Sequence, residues 1–471
     1  MKVVTGEILK DLIKDDQNSK SKHEMQQGVR YYDGYNDILN VDFRNYYVRS
    51  AEYTDYNKAN EHIVNNFQKK LVDQKKDYIA SKPVTLKCDD EVYINKVKEL
   101  LGTEFDDTLL DIIKNAANKG YGSLHPYIDE VGEFDFVITP SEQLIYIYDT
   151  EYEKKLLYVV RYFNMKLVID GKERNTIRAE VWDFEKVTYY QEDKENEFRL
   201  VTAGEMDDIT VNPRYHWYNV NTVTETSSGE SWGKVPFVKF KNNSEQRSDL
   251  MVIKSYIDAI DVVSSGFVND LRDIQLAIWV LKGYEGDDLG EFMTNLMTFK
   301  AIKLDAEGNS SAEPKTLDIP KEARETLLNW LEDKLYDVGQ GVNESALTGS
   351  SLTTTAIKAA YSGLNSKSNA VIIKTNKALT DFMYFVTEFI NDRDNTNYDY
   401  KTVTFVFNRS MISNEIEILT ILKDLGVRIS QKTMLAQVPF INNTETEQKL
   451  IDEEDEKALA AMGGDLGFGG E

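Results

Sequence analysis

One cysteine, eight prolines and four histidines are spread over 471 residues, and each scarcity removes a class of protein. With Cys88 alone, the chain has no internal disulfide framework and no cysteine-based metal cluster, so a reducing compartment is the simplest expectation. The histidines, His23, His62, His125 and His216, are far apart and form no His-x-x-x-His pair, which leaves no zinc-binding helix and suggests surface or hydrogen-bonded core positions. No apolar run approaches the length of a membrane span. The start, MKVVTGEILKDLIKDD, lacks the apolar core of a secretory signal, so a soluble cytoplasmic product is expected. So few prolines leave long helices and strands free to run without interruption.

Catalytic signatures are missing too. A phosphate-cradling loop needs Gly-x-x-x-x-Gly-Lys-Ser/Thr, and the stretch Gly341–Ser351 has neither the lysine nor the spacing. No Gly-x-Ser-x-Gly elbow occurs. Acidic doublets at Asp89-Asp90, Asp106-Asp107, Asp207-Asp208 and Asp287-Asp288 resemble the carboxylates of two-metal sites. Among 80 acidic residues, however, such doublets are expected by chance, and none has EF-hand spacing. Cys88 follows a strand-like stretch and reads as a small packed residue. Neither a catalytic residue, a metal ligand nor a cofactor is expected.

What is present is apolar content of 41%, 27 Tyr and 20 Phe, ample for several cores in a chain of this length. The 55 basic and 80 acidic residues leave a net charge of −25, unfavourable for gripping a phosphate backbone through counterion release. The same charge suits a wall that DNA slides past without sticking.

The first 35 residues are polar and read as an arm. Ile63, Phe67 and Leu71 mark a helix, and the run from Val97 to Ile113 marks more helix closing near Gly120. From Tyr127 to Trp217 the period changes to two, predicting strands at Phe134–Ile138, Leu144–Tyr148, Leu156–Tyr162, Ala179–Phe184 and Val187–Tyr190. Leu250, Ile253, Ile257, Ile260, Ser264, Phe267, Leu271 and Ile274 then recur at 3,4,3,4,3,4,3 spacing, a heptad seam that demands packing against other helices. Leu328, Leu331, Leu335 and Val338 mark a second such helix. Between them lies a small α/β insert, with strands at Ala277–Tyr284, Ala301–Leu304 and Lys315–Ile319 and a helix at Leu289–Phe299. The chain goes out along one helix, builds a module and returns along another. A loop of small hydroxyl residues, 341–353, precedes a proline-free stretch Thr354–Asn391 that spans roughly 57 Å if it is one helix, with Gly363 as a bend point. A strand around Phe405, a helix Ile418–Leu425, a helix opened by the capping box Thr444-x-x-Glu447 and a glycine-rich tail complete the chain.

The order of these features resembles the portal proteins of long-tailed phages that infect Gram-positive bacteria, over about residues 30 to 460. The stretches that carry the resemblance are Tyr31-Tyr32-Asp33-Gly34, Asn65–Pro83, Gly233-Lys-Val-Pro-Phe-Val-Lys-Phe, Ser248-Asp249-Leu250 leading to Ile257-Asp258-Ala259, Val280–Tyr284 and Phe407-Asn408. Ser81 stands where relatives often have glycine before Lys-Pro, a difference that concerns a turn.

The resemblance implies an α+β, multi-domain, ring-forming portal fold. In it 1–248 form a wing, 249–275 a stem helix, 276–320 an α/β clip and 321–340 the second stem helix. A tunnel loop follows at 341–353, then a long wing helix and strand at 354–410, then a mostly helical crown and flexible tail at 411–471. It further implies a self-assembled ring of about twelve copies at one capsid vertex, placed in the virion after assembly in the host cytoplasm. Double-stranded DNA passes through such a ring without sequence-specific binding. The other partners implied are the packaging ATPase (the terminase large subunit), the major capsid and scaffold proteins and the head-tail adaptor, with no membrane and no enzyme activity of its own.

Channel-lining candidates in the tunnel loop are Asn343, Glu344, Ser345, Leu347, Thr348, Gly349, Ser350 and Ser351, with Lys254 and Arg272 as candidate basic positions of the lumen, the sequence leaving open which stem face is lumenal. Stem packing is assigned to Leu250, Ile253, Ile257, Ile260, Phe267, Leu271, Leu328, Leu331 and Leu335. The competing readings are another oligomeric head-tail connector or capsid subunit, a metal-dependent nuclease, and a DNA-binding module that the charge disfavours.

Overall fold

The computed structural model describes residues 4–48, 50–56, 58–149, 155–169, 172–193, 197–202, 211–221, 226–273, 278–282, 290, 311–315, 320–347, 354–408, 430–435, 441 and 444–463. The fold is mixed α+β with antiparallel sheets. The chain divides into two compact units, one of Met1–Tyr32, Gln68–Met251 and Tyr336–Glu471, the other of Asp33–Phe67 and Val252–Leu335. The sequence reading grouped 33–67 with the first 248 residues; these residues belong to the unit that holds most of helix Leu250–Asp273.

In the first unit the main core forms where helical and strand periodicities meet. Helices Glu91–Leu101 and Glu104–Lys119 contribute Val97, Leu101, Phe105, Leu109, Ile112 and Ile113. Helix Ser362–Asp394 adds Leu379, Phe382, Met383, Val386 and Ile390 at three- and four-residue spacing, one buried stripe of an amphipathic helix. A three-stranded sheet, ordered Val238–Lys241, Tyr121–Ile128, Phe134–Ile138, closes the core with Leu124, Phe134, Val238 and Phe240. Gly120 ends its helix in a left-handed conformation (φ 88°), and an added Cβ would lie 2.0 Å from the Gln246 carbonyl oxygen, so glycine alone fits. The long helix is preceded by a separate short one, Thr354–Ala360, and the break falls at Tyr361, two residues ahead of the expected bend.

A second, antiparallel sheet carries Leu144–Tyr148, Leu156–Ile169, Lys172–Trp182, Lys186–Glu192 and Phe198–Leu200 as a meander, with Arg214–Tyr215 also on Lys186–Glu192. The alternation located four of these strands, and three of the four run longer than it indicated. The expected N-terminal arm is instead two helices, Gly6–Gln17 and Lys20–Tyr32. Leu9 and Ile13 of the first pack on Val160, Tyr162, Ala179 and Tyr190 of this sheet. The stripe is only two residues wide in a polar context, which is why composition concealed it. The helix expected from Ile63 begins at Phe67, and Ile63 lies in an extended segment.

Two of the histidines are half-buried against aromatic rings. His125 places Nδ1 2.6 Å from the Pro236 carbonyl oxygen and stacks on Phe237, with ring centroids 4.4 Å apart. His216 accepts the Trp232 amide at Nδ1 and turns Nε2 to the Asp183 carbonyl oxygen, an arrangement that suits the neutral ring. Burial pulls both down to about 4. The unfolded chain therefore takes up protons that the native state refuses between about pH 6.5 and 4. Their stabilising effect is full above pH 6.5 and declines as pH falls through that window. Urea midpoints measured from pH 7 to 4.5 are expected to fall, and His216→Gln is expected to reduce the slope.

Among the described residues no helix is long and apolar enough to cross a membrane.

Candidate functional site

Helix Leu250–Asp273 starts as the heptad pattern requires, with Leu250, Ile253, Ile257 and Ile260 all buried. Beyond Ile260 the buried row shifts by one position onto Asp261, Ser265 and Asn269. Phe267 is half-buried and Leu271 is 51% exposed, so the seam does not continue through them. The reason lies in what the helix packs against within its unit, a bare extended backbone. The amide of Asn65 donates to Asp261 Oδ1 (2.8 Å), that of Ile63 to Ser265 Oγ (2.9 Å), that of Glu61 to Asn269 Oδ1 (2.7 Å) and that of Ala59 to Asp273 Oδ1 (2.8 Å). Asn269 Nδ2 also donates to the Glu61 carbonyl oxygen (3.1 Å).

Every second residue of the strap thus meets every fourth residue of the helix, running in opposite directions. Two extended residues advance about 6.6 Å and four helical ones about 6.0 Å, so the two repeats stay in step over this length. Among the described residues no strand pairs with the strap, and amides shielded from water must be satisfied, which explains the polar row. Burial pushes the Asp261 carboxyl up, while the side chains of Asn36 and Asn65 pull it back. Asn269→Leu removes both bonds to Glu61 and is expected to cost about 1–3 kcal/mol. Hydrogen exchange is expected to accelerate at the amides of Glu61 and Ile63.

The two basic candidates are engaged in the same unit. Lys254 pairs with Asp37 (2.6 Å) and Asp258 (2.7 Å), and Arg272 pairs with Glu61. These carboxylates offset the charge that either side chain carries. On helix Lys321–Gly339, Leu331 and Leu335 are buried, Leu328 is half-buried and Val338 is exposed. Arg324 joins the two helices by pairing with Asp270 and lying over the Phe267 ring at 5.5 Å. Of the insert, Ile278–Lys282 pairs antiparallel with Ser311–Lys315, which brings its two ends together. The expected strand at Ala301–Leu304, the helix at Leu289–Phe299 and residues 316–319 fall outside the described set, apart from Gly290 in a helical conformation.

In the first unit a charged node ties the ends of this helix pair. Lys75 has no exposed surface; its Nζ meets Asp249 Oδ2 at 2.5 Å and Asn242 Oδ1 at 2.7 Å. Asn242 Nδ2 donates to Asp249 Oδ1 at 2.8 Å. Lys367 of the long helix reaches Asp249 Oδ2 at 3.1 Å and also the carbonyl oxygen of Gly339 at 3.1 Å. One ammonium therefore holds the residue just before one helix and the last residue of the other. An anion at a helix start and a cation at a helix end both complement the backbone dipoles.

The loop that follows is anchored at its base. Gln74 exchanges two bonds with Val342, Nε2 to its carbonyl and Oε1 from its amide, both 2.8 Å. A Cβ on Gly341 would lie 2.1 Å from Leu71 Cδ2, so a larger residue there would displace the Leu71 side chain. Asn343 Oδ1 accepts from the Ser345 amide and hydroxyl, opening the turn Glu344–Leu347. Glu344 and Ser345 are exposed, and Leu347 packs on Tyr78, Val342, Ile357, Tyr361 and Leu364. Thr348, Gly349, Ser350 and Ser351 lie outside the described residues. Sequence reasoning missed the node and the polar ladder, though Lys75 and Asp249 both sit in stretches that carried the family resemblance.

The family model described as "Phage portal protein, SPP1 Gp6-like" matches residues 11–460. The chain belongs to the phage portal protein family. It is 33% identical over 433 residues to the portal protein of Bacillus phage SPP1, covering 91% of this chain and 83% of that one. The portal protein of Clostridium phage phiCD119 is 30% identical over 449 residues, covering 92% and 93%. Among solved structures, a chain in the neck of an empty gene transfer agent particle aligns with a TM-score of 0.46 at 10% identity, covering 79% of this chain and 90% of that one. A chain from the native gene transfer agent virion aligns with a TM-score of 0.42 at 10% identity, covering 79% and 89%. As a portal protein, this chain is a non-enzymatic virion component that forms a DNA channel at the capsid vertex. The portal family implies an oligomeric ring within the phage head.

Proposed function

We propose that about twelve copies close the ring and that residues 249–275 and 321–340 are its stem. The observation that carries this reading is the pinning of both helix ends, Asp249 and Gly339, by Lys367, which makes 250–338 an excursion from a fixed base. In this assignment 276–320 form the clip, which docks the terminase large subunit during packaging and the head-tail adaptor afterwards. The wing comprises 1–248 together with 354–410, and 411–471 form the crown and tail, where the major capsid and scaffold proteins gather during assembly. At −25 per copy, a ring of about twelve carries a formal charge on the order of −300, which keeps a duplex from adhering to the wall.

Loop 341–353 faces the DNA in this reading. Asn343, Ser345, Thr348, Ser350 and Ser351 offer weak, sequence-blind contacts to phosphates, and Glu344 repels them. The energy for transport comes from the ATPase partner. Negative-stain electron microscopy with light scattering tests the ring. Rings with a central channel and a mass about twelve or thirteen times 54.0 kDa are expected. A chain that stays monomeric at all concentrations and cuts DNA with Mg²⁺ would overturn the reading in favour of a nuclease.

A further inference from the structure

The second unit carries a feature that the channel reading does not use. Strands Asn45–Val48 and Ala51–Thr54 form a hairpin paired only with each other among the described residues. Its turn includes Ser50 in a left-handed conformation (φ 68°). Both faces carry exposed aromatic rings. Tyr46 and Tyr53 stack on one face with centroids 5.8 Å apart, and Tyr47 on the other is 70% exposed. Tyr56, just beyond, is 80% exposed. A two-stranded ribbon on its own is marginal in water, because it buries too little apolar surface to offset its ordering.

The hairpin is nevertheless held firmly at its foot. The Phe43 amide donates to Asn60 Oδ1 (2.9 Å) and His62 Nε2 lies 2.6 Å from the Val41 carbonyl oxygen, joining its two legs. The strap 59–65 that follows is fixed to helix Leu250–Asp273 by the ladder described above. Rigid support under exposed tyrosines is the arrangement that lowers the entropy lost on docking.

We infer that this hairpin is a ring contact, docking on the adjacent copy of this chain; the inference rests on the ring that the family forms. Charge points to a second copy as the occupant. Copies at −25 repel one another, yet residues 42–58 balance Asp42, Glu52 and Asp55 against Arg44, Arg49 and Lys58 for a net charge of zero. A tyrosine-rich patch whose charges cancel is where two such subunits approach with least repulsion, and interface cores favour tyrosine. A ring of more than two copies also needs two different surfaces per subunit, so the hairpin meets another part of its neighbour rather than the neighbour's hairpin.

Tyr47→p-benzoylphenylalanine, irradiated in purified rings, tests this. The expected result is a covalent ladder of dimers, trimers and higher species, because each copy donates one crosslink and receives another. Dimers alone, or rings that stay uncrosslinked, overturn the proposal while leaving the ring intact. Crosslinks that form only to the shell protein in assembled heads overturn it in favour of a capsid contact. If the wild-type chain forms no rings, the ring reading falls and this proposal falls with it. The double variant Tyr47→Ser and Tyr56→Ser is expected to raise the concentration needed for half-assembly on the order of tenfold with an unchanged thermal midpoint. An unchanged closing concentration contradicts the proposal.

Discussion

Asp249→Asn is expected to destabilise the first unit by about 3–5 kcal/mol, read as a drop in the urea midpoint at pH 7. The node holds two ammonium groups and one carboxylate, and the carboxylate is the group that makes the others tolerable. Burial would raise the Asp249 carboxyl, but Lys367 and Lys75 overcome this and hold it well below the usual range. Lys75, fully enclosed, is pulled down to about 8 by burial against the pull of Asp249. Without the carboxylate's charge, two cations face each other with only neutral acceptors around them, the introduced amide, Asn242 and the Gly339 carbonyl. Lys75 then sheds its proton more readily than in the unfolded chain. Stability in the variant therefore rises with pH up to about 10.4, the ordinary lysine value, and its deficit against wild type is expected to shrink as pH rises from 7 toward about 8, where Lys75 of the wild type loses its proton too. Adding Lys75→Met is expected to restore most of the loss, since it removes the stranded charge. A variant within about 0.5 kcal/mol of wild type would show that no such buried pair exists.

The parts of the fold that the sequence disclosed are those that hydrophobic spacing encodes. Strands from Phe134 to Glu192 alternate because one face packs on a core, and the stripe Leu379–Ile390 recurs because one side of a long helix is buried. The start of the heptad seam was legible for the same reason. Its end was not, because Asp261, Ser265 and Asn269 are buried for their hydrogen-bonding capacity and a hydrophobic pattern passes over them. The node was hidden differently. Among 80 acidic and 55 basic residues, nothing local separates Asp249 or Lys75 from solvent-facing ones. Only the family resemblance singled out Ser248-Asp249-Leu250 and Asn65–Pro83, and the structure gives those two stretches a physical reason by joining them in one ion pair. Asn408, in another marker stretch, likewise donates to the Pro83 carbonyl oxygen at 3.0 Å.

Deleting 343–351 is expected to leave rings closed and to abolish DNA retention, so that nuclease-protected DNA in heads falls to background while particle number is unchanged. In the proposed reading the DNA-facing part of the loop lies after its anchored base. Gly341 and Val342 are fixed by Leu71 and Gln74, both outside the deletion, so the helices on either side keep their attachment. What the deletion takes away is the exposed turn with Glu344 and Ser345 and the hydroxyl-rich stretch after it. It also removes Leu347 from the cluster of Tyr78, Ile357, Tyr361 and Leu364, which by itself lowers stability. Leu347→Ser separates the two effects, with an expected loss of about 1–2 kcal/mol from reduced burial and with packaged DNA retained. Glu344→Lys probes the charge directly. With the loop facing the duplex as proposed, a ring of added cations turns a repelling collar into one that grips phosphates, so translocation is expected to slow at low salt and recover as salt is raised. Normal packaging by the deletion would remove the loop from the mechanism, and a salt-independent Glu344→Lys would place that residue away from the DNA.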